Sequence, residues 1–313
     1  MSESAPYAAS VVFVCDYASN TEEGVEDMRR AFKAVAAQDI DEPIEYILIE
    51  SEELRDWLPP EVLGMLPSLR VVYSPARGSC GLRNHGVREA SCELVATLDA
   101  DCQPNRSWLR YLLEDLRNNP DAAAVSSWTR YAGNGFMNRI AGAIERSYMN
   151  GDVVQTTPHL STSSAGFRRS VFLEHNMPTH VGPFAGRLQG ESIRRAGWRL
   201  LFDPRMRVQH AFAPGLYSTY HYNVGYATVR LRQENDRLPY AWLARLGYFS
   251  LPLFFGGRLL TAWQRGLTSW RDYGVRWYEV PATIAVATWG ALIEVPGMLR
   301  ALRGEPPPAT LFR

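Results

Sequence analysis

The sequence predicts an α/β fold, a mostly parallel sheet flanked by helices, followed by an α-helical C-terminal extension. Three observations predict it. Short apolar runs alternate with amphipathic stretches from about residue 10 to residue 100, the signature of strands joined by crossover helices. Several of these runs end on a carboxylate, at Asp16, Glu50 and Asp99. From Tyr240 onward the composition shifts to Leu, Phe, Trp, Ala and Val.

Val11-Val-Phe-Val14 reads as the first buried strand, ending at Cys15 and Asp16, and Asn20 or Thr21 can cap a helix running to about Ala37. Ile44 to Ile49 is a second strand, ending on Glu50, and Leu69 to Tyr73 a third. Ser79 is placed to cap the next helix, which carries Leu82, Arg83, Val87 and Ala90. The Leu94–Leu98 strand then stops on Asp99-Ala100-Asp101. A helix from about Ser107 to Leu116, a strand over Ala122–Ser126 and a helix from Phe136 to Tyr148 follow, and there the alternation loosens. Ser161 to Phe167 is small and polar, a helix starts at Arg168-Arg169, and Leu188 to Ala196 is amphipathic with Gly197 closing it. Trp198–Phe202 and Met206–Val208 read as two strands separated by an Asp203-Pro204 turn.

The chain has 313 residues, with 33 basic side chains against 33 acidic ones. This balance argues against a nucleic-acid partner, which demands a basic excess. Cys15, Cys80, Cys92 and Cys102 form no C-x-x-C pair, which fits a reducing compartment better than a zinc or redox motif. The opening residues show no secretory leader, and the expected location is cytoplasmic, at the inner face of the plasma membrane. Residues 241–263 and 280–299 are apolar but broken by Arg245, Arg258 and Glu294. Their aromatic and arginine flanks suit a membrane interface, and a helical region packed on the core or on a second copy is the alternative. The domain division expected is 1–235 and 236–313.

In an open α/β sheet, ligands bind beyond the carboxyl ends of the strands, so Asp16, Glu50 and Asp99 should share one edge. Two carboxylates separated by one small residue can hold Mg²⁺ or Mn²⁺, which in turn binds nucleotide phosphates. A bare Asp-x-Asp is more often an acidic turn, so its neighbours must decide.

Those neighbours resemble an inverting family 2 glycosyltransferase of the GT-A fold. The resemblance is carried by Gly78-Ser-Cys-Gly-Leu-Arg83-Asn84-His-Gly86, Leu98-Asp-Ala-Asp-Cys-Gln-Pro104, Ala165-Gly-Phe-Arg-Arg169, Arg194-Arg-Ala-Gly-Trp-Arg199 and Val208-Gln-His210. It spans roughly residues 10 to 235. A second resemblance is to members with hydrophobic, membrane-bound tails, on Trp289-Gly-Ala-Leu-Ile-Glu-Val-Pro-Gly297.

The resemblance implies a metal-dependent transferase that moves a sugar from a nucleoside-diphosphate donor to a lipid-linked or polysaccharide acceptor. It places Asp16 and Glu50 at the base of the nucleotide, although the family usually carries Asp where Glu50 stands. Arg83 would lie near the base or diphosphate, with Asp99 and Ala100 on the donor. Asp101 and His210 would ligate the Mn²⁺ or Mg²⁺ ion. Family members carry Glu-Asp 11 or 12 residues before the glycine equivalent to Gly197, where this chain has Ala185-Gly186. Glu191, six residues before Gly197, is the expected general base in their place. That departure keeps open two other readings, a degenerate non-catalytic binding or assembly protein and a retaining GT-A transferase.

Overall fold

The computed structural model describes residues 7–15, 21–55, 57–76 and 78–312. Among these, nine strands form one sheet: β1 (Ala9–Val14), β2 (Ile44–Ser51), β3 (Arg70–Ser74), β4 (Leu94–Asp99), β5 (Cys102–Pro104), β6 (Ala122–Tyr131), β7 (Gln155–Thr156), β8 (Ser164–Arg168) and β9 (Arg199–His210). The α-helices are α1 (Glu22–Ala36), α2 (Pro60–Leu63), α3 (Gly78–Glu89), α4 (Trp108–Asn118), α5 (Phe136–Ala141), α6 (Arg169–Glu174), α7 (Ala185–Arg195), α8 (Tyr217–Glu234), α9 (Leu251–Ser269) and α10 (Val280–Leu302).

The strand order is β3-β2-β1-β4-β8-β6-β9-β5, with β7 also paired to β9. The first four strands are parallel; β8 runs antiparallel to both neighbours, and β6 and β9 are again parallel. Every residue of β1 is buried, as a strand covered by helices on both faces must be. Thr21 caps α1 by accepting from the Gly24 N–H at 3.1 Å, and Met28, Ala31, Phe32 and Val35 form the stripe that α1 lays on the sheet. Phe32 meets Phe13 of β1 with ring centroids 4.7 Å apart.

Four local expectations change. Helix α3 already begins at Gly78, so Ser79 lies inside its first turn. The segment beyond Trp198 is one strand, β9, whose pairing with β6 steps from Asp203 to Arg207 while β6 advances one residue, so the bulge at Asp203-Pro204 lies on β9 and does not end it. The helix expected from Phe136 to Tyr148 is α5 followed by a π-helical turn over Gly142–Arg146. The small, polar segment ending at Phe167 contributes β8, its polarity absorbed inside the protein where Trp108 Nε1 donates to Ser127 Oγ and Ser164 Oγ at 3.0 Å.

Beyond the sheet, α10 crosses α8 at a pair of glycines. A Cβ on Gly225 would lie 2.0 Å from the Glu294 carbonyl oxygen, and one on Gly297 would lie 2.1 Å from that of Tyr222. Only glycine permits so close an approach of two helix backbones. Tyr240, Trp242, Phe249, Leu260, Trp277 and Trp289 remain exposed, Phe249 by 87% and Trp277 by 76%.

Candidate active site

The acidic motif sits where β4 ends. Asp99 is its last residue, Ala100 donates its N–H to Val14 O at 3.0 Å, and Asp101 leads into β5. Strand β5 pairs antiparallel with β9 so that Cys102 faces His210, and the Ala211 N–H donates to Asp101 O at 3.2 Å. This pairing, between residues more than a hundred positions apart, brings the histidine to the carboxylates. His210 Nε2 lies 3.7 Å from Asp99 Oδ2, and Nδ1 lies 3.6 Å from Asp101 Oδ2.

Candidate ligand atoms of Asp99, Asp101, Cys102 and His210 all lie within 4.8 Å of one another. Asp101 Oδ1 is buried without a hydrogen-bond partner among the described residues, a cost that a bound cation would remove. His210 Nδ1 lies 2.7 Å from Ala211 O and donates to it, which leaves Nε2 as the nitrogen that could ligate a cation. Two carboxylates and an imidazole suit Mn²⁺, and the carboxylates suit Mg²⁺. Burial pushes the Cys102 thiol well above its ordinary range, which makes it a poor ligand.

The charges in the cluster are unequal. Burial pushes the Asp99 carboxyl up, but Arg83, bonded to its Oδ1, and His210 outweigh burial and hold it below its usual range. Asp101 is pushed up by burial and by Asp99, with His210 opposing. Burial would lower His210, yet Asp101 and Asp99 hold it above its ordinary value.

A cavity of about 1210 Å³ opens from this cluster and runs between the sheet edge and α8, α9 and α10. Ala100, Tyr131, Glu145, Arg146, His221, Arg258 and Glu294 line it. The Arg146 guanidinium lies over the Tyr131 ring at 4.8 Å, and its Nε is buried without a hydrogen-bond partner among the described residues.

The sequence-derived site residues divide accordingly. Asp99, Ala100, Asp101 and His210 come together on the cavity wall. Arg83 is buried behind Asp99, salt-bridged to it, and also donates to Ser79 O at 3.2 Å. Glu50 is buried at the end of β2 and accepts from the Ser51 N–H at 2.6 Å. Asp16 falls outside the described residues. Glu191 lies on α7, salt-bridged to Arg195, and is not among the residues that line the cavity. A Cβ on Gly186 would lie 2.7 Å from Leu160 O, so α7 packs too closely for a side chain to replace it. Sequence reading did not single out Cys102 as a ligand, nor Tyr131, Glu145 and His221, whose convergence depends on long-range packing.

The strand order and flanking helices are those of the GT-A fold, with an acidic motif at the end of β4. The sequence model of the glycosyl transferase family 2 matches residues 20–175, and the chain belongs to that family. A relative, the glucosyl-dolichyl phosphate glucuronosyltransferase of Haloferax volcanii, is 24% identical over 222 residues, covering 64% of this chain and 68% of that protein. The mannosyltransferase PcManGT of Pyrobaculum calidifontis, solved in complex with GDP-Man and Mn²⁺, superposes with a TM-score of 0.57 at 18% identity, over 95% of this chain and 90% of its own. That likeness is one of fold.

Proposed function

We propose that the chain is a metal-dependent transferase that moves a sugar from a nucleoside-diphosphate donor to a lipid-linked acceptor at the cytoplasmic face of a membrane. The observation that carries this reading is the convergence of Asp99, Asp101 and His210 on the wall of one large cavity. Asp101 and His210 would hold the divalent cation, with Asp99 on the donor ribose or a metal-bound water. When bound, the cation supplies Lewis-acid stabilisation of the departing diphosphate. Asp16 and Glu50 would meet the nucleotide base, Arg83 fixes Asp99, and the half-buried Arg146 would offer its cation to the phosphates.

The lipid side of the reading is supported by the helical region, residues 236–313, and its exposed aromatic rings beside arginines. Residues 277–302 form one helical stretch long and apolar enough to cross a membrane, with 39% of its window buried in the protein. We read it as lying against the bilayer, because Glu294 within it is tied to Arg258 and His221 on the protein side. The name of the Haloferax relative, which contains a dolichyl phosphate, points the same way.

The test measures nucleoside-diphosphate binding and sugar transfer to acceptor in phospholipid vesicles, with Mn²⁺, with Mg²⁺ and with chelator. Binding should require the metal. It should weaken by about 10²-fold in Asp101→Ala and His210→Ala, with melting temperatures within a few degrees of wild type. Binding indifferent to chelator removes the metal site from the reading, and protein that never floats with vesicles removes the membrane.

A further inference from the structure

Six carboxylates among the described residues line the cavity: Glu23, Asp27, Asp99, Asp101, Glu145 and Glu294. Glu23 is exposed on the first turn of α1, and Asp27 pairs with Arg30 at 3.1 Å. Asp99 and Asp101 belong to the metal cluster. Glu294 is held by Arg258 through two bonds of 2.6 Å. Glu145 remains, engaged by neither metal cluster nor arginine.

Its setting is specific. Tyr131 stands beside His210 in the β6–β9 pairing, and the Tyr131 hydroxyl donates to Glu145 Oε2. Glu145 is thus one side chain removed from the metal histidine, on the side where the cavity continues toward α8, α9 and α10. His221 Nε2 lies 3.1 Å from Glu145 Oε1, and its Nδ1 lies 3.2 Å from Glu294 Oε1. Each carboxylate oxygen has one partner and keeps a second lone pair. Glu145 is carried on the π-helical turn, whose extra residue re-aims the side chains that follow α5.

We propose that Glu145 is the general base that activates a hydroxyl on the acceptor, in the place of the carboxylate pair absent at Ala185-Gly186. This rests on the transferase reading above. The acceptor O–H bond breaks and its proton passes to Glu145. The acceptor oxygen forms the new bond to the anomeric carbon, and the bond from that carbon to the diphosphate oxygen breaks with its electron pair on the diphosphate. Tyr131 and His221 are positioning residues that hold the carboxylate toward the cavity.

The test compares wild type, Glu145→Gln and Glu145→Ala with a hydroxyl acceptor. Glu145→Gln should lose transfer by about 10²- to 10⁴-fold, with nucleoside-diphosphate affinity near wild type and the protein still folded. Azide, an anionic nucleophile that needs no base, should restore turnover of donor in Glu145→Ala as the inverted glycosyl azide. A wild type that transfers beside an equally fast Glu145→Gln overturns the base alone, as does a Glu145→Ala that binds donor and gains nothing from azide. A wild type that neither binds donor nor transfers defeats the transferase reading and this proposal together.

Discussion

On the sheet wall of the cavity, Asp99 and Asp101 have one arginine and one histidine between them, and a carboxylate oxygen is left buried without a partner among the described residues. On the helical wall, Glu145 and Glu294 share His221, and Glu294 takes Arg258 as well, so their charges balance within the protein. Both walls set one arginine and one histidine against two carboxylates; they differ in that the first leaves Asp101 Oδ1 without a partner among the described residues, whereas on the second every oxygen of Glu145 and Glu294 is bonded. An acceptor left open in this way costs stability, and it is what the proposed cation would use. A helical layer with polar groups buried under an apolar outer face has to satisfy them internally, since neither lipid nor apolar side chains will.

The sharpest way to break this comparison is to loosen the helical wall. Gly297→Leu or Gly225→Leu should prevent α10 from seating on α8. The clash is with backbone, which cannot rotate away, and we expect a loss of roughly 3 kcal/mol or more in chemical denaturation. Helix propensity alone favours the substitution by about 1 kcal/mol, so the sign of the change reports the close approach. An unchanged midpoint would show that the two helices are not so tightly seated.

The ion network of the same wall gives a smaller, pH-dependent effect. Burial would lower the His221 imidazole, but its bonds to Glu145 and Glu294 outweigh burial and raise it to about 9. Its folded value exceeds the ordinary value near 6.5, so the stability it confers is full below that pH and is lost as pH rises through about 9. Unfolding free energy measured from pH 6 to 10 should fall by roughly 2 kcal/mol more in wild type than in His221→Gln. Parallel curves would mean that the imidazole is not charged in the folded protein.

The legibility of the two walls from sequence differs for the same physical reason. Strands β1, β2 and β4 announce themselves as apolar runs because they are buried on both faces, and the carboxylates ending β2 and β4 mark the edge where ligands bind. Asp101 and His210 could be paired only through the family resemblance, which places Val208-Gln-His210 against the acidic motif. Helix α8 carries Tyr, His, Asn and Thr on faces buried between the cavity and α10, so no apolar stripe marks it. Glu145 and His221 gain meaning only through a packing that joins residues 76 positions apart, which no local pattern records. Glu191, an ordinary helix carboxylate by its spacing, is in the structure salt-bridged to the arginine one turn on.

The smallest expected effect lies under the sheet wall, on α4, away from the cavity. Burial first, and the neighbouring Asp203 next, push the Asp115 carboxyl up to about 7, although Arg205 lies 3.3 Å from its Oδ1. This is the opposite of a salt-bridged acid: the folded value exceeds the ordinary carboxyl value near 4, so the protonated form favours the fold. Its contribution is full below about pH 4 and is lost as pH rises through 7, a window lower than that of His221. Asn mimics the protonated carboxyl in shape, and Arg205 would keep Asp203 at 2.9 Å. Asp115→Asn should therefore stabilise the protein at pH 8 by about 1 kcal/mol, a value kept small because the Arg205 pair offsets part of the burial of the charge, and should do nothing at pH 4. The comparison needs only thermal or denaturant unfolding at the two pH values; destabilisation at pH 8 would mean that the Arg205 pair outweighs the burial of the charge.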